Sequence, residues 1–280
     1  MSASSMGQAA QITASLRDRS TSKVQRLIDN WDLLELLMDN DPSAVDRSTF
    51  RRLLNGQLET IGSALQDWYV SPQEQVNNVD RWNIERNWGF ADSDFPEHIP
   101  DFTPSQLLEV LVLAVYLPSA ELGRVKDLPG YIRTAGELWQ IAREGQPNWW
   151  QWDELKLDAE HLRLLPELTH RPGIRWVALD LGAHWNARDG VRPRDVRASN
   201  SAHAEILAAA AHFPQWIQTM DGSAVPYVWL AGYQVTIPGG GAWTDVPILS
   251  WDGHDREVYL SADWDDDRSW GYAVPVVREL

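Results

Sequence analysis

The chain contains no cysteine in its 280 residues. That excludes disulfides, thiol nucleophiles and every Cys-ligated zinc or iron–sulfur site, and it fits a reducing compartment. Long hydrophobic runs are also missing. The longest apolar stretch, residues 107–117, is about half what a membrane span needs and carries Glu109. The first ten residues are small and polar, without the basic start and apolar run of a signal peptide. Together these point to a cytoplasmic protein with no membrane span, with export by an unrecognised route left open. Positive charge is scarce too: 24 Lys and Arg stand against 40 Asp and Glu, for a net charge of −16. The basic residues are not clustered, so a phosphate backbone would be repelled and nucleic acid is not expected as a partner. A basic protein, a cation or a carbohydrate is compatible with this charge.

What the chain has in quantity is tryptophan, 16 in all, five of them in the last 60 residues. The same 60 residues hold ten carboxylates and three arginines, a net charge of −7. Tryptophan is costly to expose and anchors many binding surfaces. A β-rich segment mixing Trp, Tyr, Asp, Ser and Gly therefore reads as a recognition face laid over a core.

Along the chain, residues 1–15 read as a loose tail. Apolar residues recur at helical spacing over Ser20–Met38 and Asp46–Tyr69. Residues 71–104 read as a long irregular connection with one helical turn. Thr103-Pro104 offers an N-cap and a first-turn proline to a helix over Leu107–Tyr116, apolar on nearly every face. Further helices are predicted over Ile132–Arg143, Asp153–Leu165 and Ser201–Phe213, and a strand over Arg175–Asp180. After Pro214 the period changes to two: Val258, Leu260, Ala262 and Trp264 alternate with Glu257, Tyr259, Ser261 and Asp263. Tyr233–Ile237, Val246–Trp251 and Ala273–Val277 read as neighbouring strands, with turns at Pro238–Gly241 and Asp252-Gly253. The expected fold is α+β, a mostly helical domain over 16–170 followed by a small antiparallel-sheet domain over 171–280.

Four clusters invite a catalytic or metal reading. Ser201-Ala202-His203-Ala204-Glu205 matches half of a zinc deaminase signature, but the cysteine half has no counterpart here. An N-cap at Ser201, with His203 and Glu205 on a solvated first turn, is the simpler reading. Asp180 and His184 flank a strand end, where a structural hydrogen bond is expected ahead of a catalytic dyad. Asp263, Asp265, Asp266 and Asp267 lack the spacing of an EF-hand and read as a charged turn. Gly239-Gly240-Gly241 is followed by no Lys-Ser/Thr and reads as a hairpin connection, not a phosphate loop. Trp149, Trp150 and Trp152 fit core packing better than a sugar-stacking platform. Neither a cofactor nor a metal is expected.

The block from Trp152-Asp153-Glu154-Leu155-Lys156 through His161-Leu162-Arg163-Leu164 to Pro172-Gly173-Ile174-Arg175-Trp176 resembles a family of uncharacterised proteins from Saccharibacteria-like candidate-phyla bacteria. The likeness continues through Ala202–Glu205, Pro226-Tyr227 and Gly232–Gln234 to Pro275–Glu279 and covers roughly residues 105–280. That family implies no catalytic residues. Trp229-Leu230-Ala231-Gly232, the short strands bearing Trp243 and Trp251, and the closing Val-Arg strand are similar to C-type-lectin-like domains of diversity-generating retroelement targets. This resemblance implies a compact sheet supporting a variable binding face.

The sequence thus predicts a non-enzymatic protein that binds an unidentified protein or small ligand. The expected ligand-binding residues are Trp243, Trp251, Asp252, His254, Tyr259, Asp263, Asp265, Arg268, Trp270 and Tyr272. A second reading is an acidic inhibitor or immunity-type protein masking a basic surface. A third is a hydrolase using Asp180 and His184.

Overall fold

In the computed structural model, the described residues are 68–102, 108–122, 125–185, 190–222, 225–238 and 242–280. The expected tail, the helix over Ser20–Met38, nearly all of Asp46–Tyr69, the Thr103-Pro104 cap and the triglycine lie outside them. Two sheets organise the described chain. In the first, β1 (Glu109–Tyr116) and β12 (Val276–Glu279) flank β6 (Gly173–Asp180), both antiparallel to it. The second runs β11 (Tyr272–Ala273), β7 (Tyr227–Trp229), β9 (Asp245–Asp252), β10 (Glu257–Trp264), β4 (Trp149–Gln151), with β8 (Tyr233–Val235) and β5 (Leu162–Leu164) attached through β9. It is mixed: β4 runs parallel to β10, and β11 parallel to β7. A separate short hairpin joins β2 (Ala120–Leu122) to β3 (Val125–Leu128).

Among the described residues the α-helices are α1 (Pro72–Glu85), α2 (Gly130–Arg143), α3 (Pro193–Val196), α4 (Ala204–His212) and α5 (Pro214–Ile217). α2 and α4 pack on each other and on β1, while α2 also touches β5 and α5 touches β9. The largest hydrophobic cluster therefore draws on both sheets. Every residue of α4 except the half-buried Ala211 is buried, and its run of alanines allows neighbouring elements to approach closely.

Three sequence expectations are corrected. Residues 109–116 form a strand, not a helix; all eight are buried, and a strand covered on both faces shows no alternation to betray it. Residues 72–85 form a full helix where a connection was expected. Ser71 Oγ accepts from Glu74 N–H, Pro72 occupies the first turn, and the buried stripe is only Gln75, Val79 and Trp82. No helix forms over 153–165. The Asp158 carboxylate accepts from the backbone N–H of Glu160 and His161, turning the chain toward β5.

The helix predicted over 132–143, the strand over 175–180 and the strand over 257–264 are present. The predicted strand over 273–277 divides between β11 and β12, which belong to different sheets. No domain boundary falls near residue 170, since Trp68–Leu280 form one unit. The reason is strand pairing: β1, β4 and β5 precede that point, yet pair with β6, β10 and β8 beyond it.

The outer edge of β1 is closed by side chains. Gln75 Nε2 donates to Leu111 O at 3.1 Å while its Oε1 accepts from Leu113 N–H at 2.8 Å. His212 Nε2–H then donates to Leu113 O at 3.1 Å. A buried amide thus does what a further strand would do, satisfying backbone groups that water cannot reach.

Candidate recognition face and cleft

Strand register determines which side chains share a face of the large sheet. Val258, Leu260 and Leu249 face the main core, and Val228 and Ala273 join them. One residue along, every partner points the other way. Tyr272 lies opposite Tyr227, Tyr259 opposite Ser250, and Trp150 beside Tyr259. Continuing the β7–β9 register places Tyr227 opposite Ser250. The outer face therefore carries a row Tyr272–Tyr227–Ser250–Tyr259–Trp150 crossing five strands, about 19 Å from end to end. The Trp150 and Tyr259 rings meet edge-on at 5.2 Å, and those of Tyr227 and Tyr272 are tilted at 54° with centroids 5.1 Å apart.

On one side of this row, the outer face is covered by a second small core. Trp229, Val246 and Ile248 pack there with Val191 and Val274. The segment over it is fastened by ion pairs: Arg197 to Asp265 at 2.7 Å, and Arg194 to Asp266 at 2.5 Å. Val191 and Ser269 add a backbone bridge. On the other side, Asp252 and Glu257 sit opposite each other on the same face as Tyr259. The Tyr259 hydroxyl donates to Glu257, and this bond chiefly pushes its pKa up to about 12. Burial raises the Tyr227 hydroxyl, as do the nearby carboxylates of Asp221 and Asp252. Tyr272 is pushed up to about 12 by burial, then by Tyr227, Asp263 and Asp267. The row is thus aromatic on either side of Ser250 and carboxylate-rich beside it.

Beyond Tyr227 and Tyr272 the row opens into a cleft of about 470 Å³, also lined by Asp221, Arg268, Ser269 and Trp270. Two glycines in the left-handed region, Gly222 at φ 67° and Gly271 at φ 80°, let its two loops meet. A Cβ on Gly271 would lie 2.8 Å from Gly222 O, closer than any side chain tolerates.

The structure brings together some expected binding residues and separates others. Arg268, Trp270 and Tyr272 share the cleft, and Tyr259 and Asp252 lie along the row. Asp263 is on the row's face, its Oδ1 accepting from Trp264 N–H. His254 is at the exposed hairpin tip, where Asp252 Oδ1 accepts from the N–H groups of His254 and Asp255. Trp251 is on the opposite face, paired with Val258 and half-buried against the main core. Trp243 lies elsewhere, under the Arg163 guanidinium at 4.7 Å. Asp265 is tied to Arg197 with both side chains largely covered.

Asp221 and Tyr227 are not among the residues expected from the sequence, and Trp150 stands there as a core residue. The alternation Tyr227-Val228-Trp229 was a readable signal for the second. Trp149 does enter the core against Trp139 at 5.6 Å, while Trp150, its immediate neighbour, is 39% exposed.

The catalytic candidates resolve differently. His203 and Glu205 are buried, at 4% and 2% exposure, not on a solvated turn. Tyr116, arriving from β1, covers them: its hydroxyl donates to Glu205 Oε1 at 2.5 Å, and Glu205 Oε2 accepts from His203 N–H at 2.8 Å. Asp180 is buried, with its carboxyl raised by burial, and accepts from Gly182 N–H at 3.0 Å. His184 is exposed and shares no hydrogen bond with it. In the aspartate cluster, Asp265 and Asp266 are held by arginines and Asp267 accepts from Ser269 Oγ. Among the described residues, no group of three or more His, Asp or Glu is placed to hold a metal ion, and no helix is long and apolar enough to cross a membrane. Comparison with protein-family models, curated proteins and solved structures finds no match to this chain.

Proposed function

We propose that this is a non-enzymatic binding protein that captures a positively charged partner on the outer face of its seven-stranded sheet. The observation that supports it is the aromatic row Tyr272–Tyr227–Ser250–Tyr259–Trp150 with Asp252 and Glu257 beside it. Aromatic faces attract guanidinium and ammonium groups, and carboxylates at the rim supply charge-assisted hydrogen bonds. The net charge of −16 favours a basic partner over a neutral one by drawing it in at long range. An acidic inhibitor of a basic protein would use this same surface.

An oligo-arginine peptide serves as probe, with oligo-glutamate of equal length as control, followed by tryptophan fluorescence. Oligo-arginine should bind, and the affinity should fall steeply with salt. Trp150→Ala and Tyr259→Ala should weaken binding at least about tenfold with an unchanged melting temperature. Equal binding by wild type and both variants would place the contact elsewhere on the acidic surface and remove this face from consideration.

A further inference from the structure

The cleft at the β11 end of the row has a composition that the row lacks. Its arginine is unpartnered. Of the arginines among the described residues, only Arg256 and Arg268 have no hydrogen bond, ion pair or ring contact. Arg256 stands on the exposed hairpin turn, whereas Arg268 lines the cleft. Three aspartates precede it, yet all are engaged: Asp265 by Arg197, Asp266 by Arg194, and Asp267 by the Ser269 hydroxyl. A guanidinium beside engaged carboxylates is available to an incoming one.

The rest of the lining suits the opposite charge. Tyr227, Tyr272 and Trp270 present ring surface, with Trp270 70% exposed, and Asp221, whose Oδ1 accepts from Val225 N–H at 3.1 Å, adds negative charge to the wall. Ring faces over which a cation can sit, next to a carboxylate, form the usual receptor for an ammonium group. A simple cation would meet repulsion from Arg268. A simple anion would meet Asp221 and the carboxylates along the row. A molecule carrying both charges a few atoms apart satisfies both ends, and a cleft of about 470 Å³ has room for one.

We propose that this cleft binds a small zwitterion of the amino-acid or betaine type, with its cationic nitrogen against Tyr227, Tyr272 and Trp270 beside Asp221 and its carboxylate on Arg268. The inference extends the proposed binding face, since the cleft is its end. It would also make the cleft the point where the terminal residue of a longer ligand is fixed.

The test uses the full chain and three probes: glycine betaine, tetramethylammonium as the cation alone, and acetate as the anion alone. Tryptophan fluorescence and calorimetry should show saturable betaine binding at least about tenfold tighter than either fragment. Arg268→Gln should weaken betaine about tenfold or more and leave tetramethylammonium unchanged or tighter. Trp270→Ala should weaken both. Both side chains are exposed, so the melting temperature should not move. The inference is overturned if betaine does not saturate, if tetramethylammonium binds as well as betaine, or if Arg268→Gln leaves betaine binding unaltered. Oligo-arginine titration of Trp150→Ala and Tyr259→Ala separates the two proposals. Betaine binding without a row effect would retain the cleft and discard the row, and the converse would discard the cleft alone.

Discussion

The hydroxyl of Tyr116 donates to Glu205 Oε1 at 2.5 Å, joining the end of β1 to the first turn of α4 across 89 positions of sequence. Burial raises the Tyr116 hydroxyl well above its ordinary range, and the Glu205 carboxylate adds to this, so it remains a donor at any ordinary pH. The Arg175 guanidinium, 4.0 Å over the Tyr116 ring, closes the other side. Glu205 keeps a second contact to His203 N–H, which makes it the hub of a buried polar junction between strand and helix. Tyr116→Phe removes one bond from a buried carboxylate and should cost about 2 kcal/mol. Glu205→Gln alone should cost a similar amount. A double-mutant cycle by urea denaturation should show coupling of at least about 1 kcal/mol, and strict additivity would mean the bond contributes nothing.

Gln75 should matter more than a polar residue on an otherwise polar helix suggests. Replacing it with leucine leaves the buried Leu113 N–H without its side-chain partner, while Leu111 O keeps the Tyr69 hydroxyl at 3.2 Å. The expected loss is about 1–3 kcal/mol, chiefly from the one buried N–H left unsatisfied. Hydrogen exchange at the Leu113 amide should accelerate more than at Val112. Unchanged exchange there would show that the edge is protected by burial alone.

Acid should destabilise the fold through His212. Burial lowers its pKa from 6.5 to about 4, while its Nε2–H bond to Leu113 O opposes the shift. Between these values the unfolded chain binds a proton that the folded chain does not, so stability rises with pH across the window. The contribution is complete above pH 6.5 and is lost as pH falls through about 4. This depression corresponds to on the order of 3 kcal/mol. His212→Gln keeps a donor for Leu113 O and removes the titration. Its stability should therefore be flatter between pH 6.5 and 4, and a slope equal to wild type would assign the acid sensitivity to other groups.

Trp251 and Trp270 should behave differently under the same substitution. Trp251 packs against the main core, and Trp251→Ala should cost about 2–3 kcal/mol, below the range of a fully buried tryptophan. Trp270 is 70% exposed, and Trp270→Ala should lie within about 0.5 kcal/mol of wild type. Thermal melts of the two variants check both expectations. Early melting of Trp270→Ala would mean that its ring holds the cleft loop instead of facing a ligand.

Where a segment meets one face of core and one of solvent, its pattern was readable. The strand Glu257–Trp264 alternates because β10 has a packed and an open side, and α2 shows helical spacing for the same reason. β1 hid its type because it is covered on both faces, and α1 because only three of its side chains are buried. For the candidate site, the residues near the C-terminus were legible as a class, aromatic and acidic. Their division was not: Trp251 and Tyr259 look alike in sequence, yet register sends one to the core and the other to the surface.

The charge, the absence of thiol chemistry, the turn at Asp252-Gly253 and the local period of the best-patterned elements are all properties of composition or of neighbours in the chain. Which aromatics form a surface depends instead on long-range strand pairing. Trp150 stands beside Tyr259 through a parallel pairing that spans 109 residues, and Tyr272 beside Tyr227 through another. Likewise, Asp265 and Asp266 are engaged and Arg268 left open only because α3 comes from elsewhere in the chain to meet them. Side-chain chemistry is written in the chain, but contact between distant residues depends on strand order and register, which local physics does not specify.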